Sequence, residues 1–143
     1  MFPLVSEQQE KVAEIGTQYG LKFIILYGSH ARGEAHGKSD VDIAVLGKRK
    51  IESQTFGSLF AELSKIFYPN EIDLKSLHDA NILFKYQVMR DGILLCGDRT
   101  AFNTFKIYAL HAYLDAKDLF RLQQELVKKR LAEMTNQGGF SYA

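Results

Sequence analysis

A chain of 143 residues is long enough for one domain with a sizeable core and short for two. Its 46% hydrophobic and 24% charged residues fit a soluble globular protein, and a net charge of +1 offers no broad basic surface, so direct nucleic-acid binding is not expected. A single cysteine, Cys96, excludes an internal disulfide, no export signal is read, and no apolar run approaches the roughly 20 residues that span a bilayer; the expected setting is a reducing cytoplasm, with no membrane.

Residues 6–19 predict a first helix. Ser6 is the candidate N-cap with Gln9 at the capping-box position, and Val12, Ile15 and Tyr19 recur on one face. Gly16 argues against an unbroken helix, and Gly20 is a fitting stop. The run Phe23-Ile24-Ile25-Leu26-Tyr27 predicts a strand that ends at Gly28-Ser29. A polar stretch follows, and Asp40-Val41-Asp42-Ile43-Ala44-Val45-Leu46 predicts a second strand. Gly37-Lys38-Ser39 has the tail of a phosphate-binding P-loop, but position 32 is Arg where that loop needs glycine. The triplet therefore reads as a turn into the second strand, with Lys38 adding local positive charge.

Residues 53–67 carry Phe56, Leu59, Phe60, Leu63, Ile66 and Phe67 as a helical stripe, with Ser53 as cap and Pro69 as breaker. Residues 71–74 alternate as a short strand: Ile72 and Leu74 face the core, Glu71 and Asp73 the other side. Residues 78–91 predict another helix and 93–96 a short buried strand, in which Cys96 is a small core side chain. From 100 to about 134 there is no Pro or Gly, and apolar residues recur at helical intervals. One helix of that length runs about 50 Å at 1.5 Å per residue, more than a domain this size covers. It either breaks near Asp115, folds back over the sheet or offers a partner-binding face. Residues 135–143 read as a frayed tail.

The chemistry concentrates between residues 22 and 46. Asp40 and Asp42, at i and i+2 of a strand, share a face. Two carboxylates side by side repel unless a cation lies between them, and oxygen-only ligands suit Mg²⁺, which clamps the oxygens of a phosphoryl displacement. Gly28-Ser29 offers a bare backbone N–H and a hydroxyl where the chain turns toward a helix, groups that hold phosphate oxygens. Arg32, four residues on, carries the guanidinium fork that matches phosphate.

Gly28-Ser29, ten residues, then Asp40-Val41-Asp42 resembles the signature of the polymerase-β-like nucleotidyltransferase superfamily, and Gly28-Ser29-His30-Ala31-Arg32-Gly33-Glu34-Ala35 resembles its minimal nucleotidyltransferase (MNT) branch. The resemblance covers about residues 20–96. It implies an α/β fold with helices on a small mixed sheet, here as a single domain over 1–143 with a C-terminal helical extension at about 100–134. It implies Asp40, Asp42 and a third carboxylate, Asp73 with Glu71 the competitor, as catalytic metal ligands for Mg²⁺. Gly28, Ser29, Arg32 and Ser39 form the implied nucleotide site, with ATP as co-substrate. MNT proteins resemble antitoxins of type VII pairs with HEPN-domain ribonuclease toxins. The implied activity is transfer of AMP from ATP to a toxin tyrosine, within a stable hetero-oligomer. The alternatives are a small-molecule, aminoglycoside-like nucleotidyltransferase and a catalytically silent toxin-binding module. Only about 45 residues follow the last core strand, few for a separate acceptor domain.

Overall fold

The computed structural model describes residues 4–36 and 39–136. Gly37 and Lys38, and with them the positive charge expected of Lys38, lie outside the described residues, as do residues 137–143 of the expected tail.

Four strands form one sheet in the order β3-β2-β1-β4: β1 (Leu21–Tyr27), β2 (Val41–Gly47), β3 (Ile72–Ser76) and β4 (Ile93–Gly97). β1 runs antiparallel to both β2 and β4, while β2 and β3 are parallel. A parallel pair needs a crossover, and α3 (Ser53–Phe67) supplies it. The expected mixed sheet with flanking helices is what the chain builds.

Side-chain alternation then decides which helix covers which face. Ile24, Leu26, Val41, Ile43, Val45, Ile72 and Leu74 point to one side and are sealed by Val12 and Ile15 of α1 (Ser6–Gln18) and by Leu59, Leu63 and Phe67 of α3. Phe23, Ile25 and Ala44 point to the other, under Val88 and Met89 of α4 (Ile82–Asp91) and Phe102 and Ala109 of α5 (Arg99–Asn136). Phe102 and Phe105 meet Phe23 edge-on at 5.8 and 5.9 Å. α4 and α5 stand over the β1–β4 half of the sheet, so the second face stays open where β2 and β3 begin.

Several expected boundaries shift for local reasons. α1 is capped from Val5, whose N–H donates to Gln8 Oε1 at 3.0 Å, so neither Ser6 nor Gln9 forms the capping box. Gly16 does not break α1. A Cβ there would run into Cys96 Sγ, so the glycine lets the helix lie close on β4. Ser53 is not a cap; Glu52 holds that position. α4 starts at Ile82 rather than 78 because Asn81 caps it, its side chain accepting from Phe84 N–H at 2.8 Å. β3 begins after Glu71 and continues to Ser76. β4 is an edge strand and only half-buried.

α5 is one unbroken helix of 38 residues, about 57 Å long at 1.5 Å per residue, and does not break near Asp115. Its first three turns fold back over the sheet. Beyond Ala109 no described residue of it is buried, and Leu119, Phe120, Leu126 and Val127 are each more than half exposed.

Candidate active site

The open end of the second face is where the acidic residues gather. Asp42 is in register with Asp73 across the parallel β2–β3 pair and with Tyr27 across β1–β2. Residues opposite one another in a sheet have Cβ atoms about 5 Å apart and point to the same face. Asp73, not Glu71, therefore stands beside Asp42; Glu71 lies outside the strand and its backbone carbonyl accepts from Val41 N–H at 2.8 Å. Asp40 immediately precedes β2 and is exposed, at the strand's mouth and close enough to act on Asp42.

The electrostatics report the crowding. Burial first, then Asp73, then Asp40 push the Asp42 carboxyl above its ordinary range, against lowering by Lys75 and His30. Tyr27 is raised well beyond the usual phenol value by burial and by Asp42 and Asp73. Such a set of mutually repelling oxygens favours a cation.

Gly28 completes the corner. It opens the short helix α2 (Gly28–Arg32) with φ +73°, a conformation that favours glycine, and a Cβ there would collide with the Asp42 carboxylate, its Cγ only 3.0 Å away. The missing side chain thus lets the strand-to-helix turn close directly onto Asp42. Ser29 follows in the first turn of α2, its carbonyl accepting from Glu34 N–H at 2.9 Å.

The remaining expected site residues are arranged around this corner. Arg32 ends α2, bonded to Glu34 at 3.1 Å and 4.0 Å from Asp91 of α4. Both pairs are partly exposed and weak enough to exchange for phosphate. The Ser39 hydroxyl accepts from His36 N–H at 3.2 Å, while its carbonyl accepts from Asn70 and is bridged by His30 Nε2 at 3.0 Å. His30, to which sequence reasoning gives no role, thereby ties α2 to the entry of β2.

Two groups escaped that reasoning. Lys75, two residues after Asp73 and so on the same strand face, holds its ammonium 3.9 Å from Asp73 Oδ2 and 5.6 Å from the Phe84 ring centre. Phe84 meets Tyr27 edge-on at 5.7 Å. The period-2 alternation of β3 carried the signal for Lys75.

Among the described residues, no three acidic, histidine or cysteine side chains are drawn into a ready-made metal cage. The donor chemistry nevertheless fits a hard divalent cation: Asp42 and Asp73 are paired, Asp40 is within electrostatic reach, and all three offer only oxygen.

Residues 10–100 match the family described as Polymerase beta, Nucleotidyltransferase. The chain belongs to this family. Gly28, Asp40, Asp42 and Asp73 all fall inside the matched span. Within the polymerase beta nucleotidyltransferases, the chain is similar to the protein adenylyltransferase MntA of Shewanella oneidensis strain MR-1, 29% identical over 93 residues. That match spans 65% of this chain and 66% of the relative, just under two thirds of each. In fold it is similar to a solved toxin–antitoxin structure with AMP-PNP, at TM-score 0.67 and 24% identity, covering 86% of this chain and 98% of the other. It is likewise similar to a chain of the tri-AMPylated Shewanella oneidensis HEPN toxin in complex with MNT antitoxin, at TM-score 0.62 and 21% identity, covering 87% and 97%. None of the described helices is long and apolar enough to cross a membrane.

Proposed function

We propose that this chain is the MNT antitoxin of a HEPN/MNT pair, a protein adenylyltransferase that moves AMP from ATP onto a tyrosine of a HEPN ribonuclease toxin and so neutralises it. The observation that carries this reading is the in-register pair Asp42–Asp73 against the glycine corner at Gly28, in a polymerase beta nucleotidyltransferase similar to MntA.

In this reading the Gly28–Ser29 corner, with Arg32 and Ser39, holds the triphosphate, Arg32 trading its partly exposed acidic partners for phosphate oxygens. Asp40, Asp42 and Asp73 hold Mg²⁺, which when bound neutralises charge on the phosphates. The toxin's phenolic oxygen forms a bond to the α-phosphorus in line, the bond from that phosphorus to the β-phosphate oxygen breaks, and pyrophosphate leaves with the electron pair. In this reading Asp73, half-exposed at the open side, serves either as the third ligand or as the base that takes the phenolic proton. The exposed half of α5 supplies the docking surface for the toxin. A free Cys96 suits work in the reducing cytoplasm.

Calorimetry with Mg²⁺ and AMP-PNP tests the site. Asp40→Asn with Asp42→Asn lowers affinity at least about tenfold, the cost of removing charged ligands. Unchanged affinity in the double variant removes the assignment.

A further inference from the structure

Lys75 is a cation placed among the site's acids, in contact with Asp73 and Phe84. β3 turns Ile72 and Leu74 into the core and Asp73 and Lys75 to the open face. Lys75 lies opposite the buried Ala44, one step along the same face from the Asp42–Asp73 pair. Its ammonium sits 3.9 Å from Asp73 Oδ2 and over the Phe84 ring, at the end of the chain of contacts Asp42–Tyr27–Phe84. At that length, with both side chains about half exposed, the pair with Asp73 is loose. An ammonium on a four-carbon stem is a mobile point charge with three donors. Arg32, on the α2 side of the corner, pairs with Glu34 and at 4.0 Å with Asp91, so Lys75 approaches from the opposite, β3 side.

We propose that Lys75 serves the site twice: it compensates Asp73 and Asp42 before a divalent ion is bound, then releases Asp73 and grips the phosphates of the nucleotide from the β3 side. The inference rests on the nucleotide reading of the site above and adds to it a phosphate contact opposite the Gly28–Ser29 corner. Like charges drive the exchange. A divalent ion at the carboxylates repels the ammonium outward, toward the open side, where the incoming polyphosphate is the strongest anion. Asp73 is thereby released for its ligand or base role as the ion binds, and the nucleotide then holds the ammonium away from it.

Binding measurements on Lys75→Met and Lys75→Arg separate this from a packing role. With Mn²⁺ alone, Lys75→Met binds up to about fivefold more tightly than the unaltered protein, because a competing cation is gone. With saturating Mn²⁺, it binds AMP-PNP at least about tenfold more weakly, as expected for a lost charged contact to phosphate. Lys75→Arg recovers most of the nucleotide affinity. The proposal is overturned if Lys75→Met binds AMP-PNP within about twofold of the unaltered protein. It is equally overturned if Mn²⁺ affinity and unfolding temperature fall together, since Lys75 would then only support the sheet. No acceptor enters these measurements, so failure of AMP transfer to a HEPN protein would sink the antitoxin reading without touching the result for Lys75.

Discussion

Gly28 is the most constrained residue of the site, since its positive φ and the Asp42 carboxylate above it each exclude a side chain. Gly28→Ala should cost about 1–3 kcal/mol of stability through strain and overpacking, read by chemical denaturation, and should cut AMP transfer more than tenfold by displacing Asp42. Asp42 carries a second prediction. Its raised carboxyl means the folded state holds that proton more tightly than the unfolded chain does. Ionised Asp42 therefore costs stability at neutral pH, and the cost disappears as pH falls below the ordinary carboxylate range. Asp42→Asn should melt higher than the parent at pH 7–8 and converge with it under acid, as followed by thermal unfolding across pH. Sequence spacing picked out Gly28, Ser29 and the Asp40–Asp42 pair as candidates because glycine, serine and aspartate are unusual against apolar strand runs. It also put Asp40 near Asp42, and although β2 starts one residue later Asp40 still raises the Asp42 carboxyl. It passed over Lys75 because a lysine on a strand face has an ordinary surface explanation.

Periodicity identified the four strands and the helices α1, α3, α4 and α5, but not the short α2, nor what each end is tied to. Apolar spacing could not place the start of α4, which is set by one side chain, Asn81, bonding to Phe84 N–H. Nor could it explain Gly16, because the reason lies on β4, some 80 residues away in the chain at Cys96. That contact is testable. Gly16→Ala improves helix propensity yet drives a methyl into Cys96 Sγ, so it should destabilise by about 1–2 kcal/mol. Adding Cys96→Ala should return about 1 kcal/mol of that, a coupling read from a double-mutant cycle by denaturant unfolding. Additive effects would show that the α1–β4 approach is not what demands glycine.

The molecule as a whole is a core of about 100 residues with a helix that outruns it. The composition of α5 announced a helix. Whether it broke, folded back or stood free depends on what lies beside it, and one chain's periodicity carries no record of a partner. The structure divides it, with Phe102 and Ala109 buried and Leu119 to Leu131 exposed. A chain ended after Asp118 should melt within about 2 °C of the full protein, since it loses almost no buried surface, yet should no longer hold a HEPN toxin in gel filtration. A large drop in melting temperature would mean that the outer half of α5 stabilises the core instead.

The measurement closest to the central claim is the intact mass of a HEPN-domain toxin, taken after incubation with the protein, Mg²⁺ and ATP. The account predicts whole-number additions of about 329 Da on a toxin tyrosine, absent with Asp42→Asn. A toxin that binds the protein stably and gains no mass would contradict it, leaving a binding module on a nucleotidyltransferase fold.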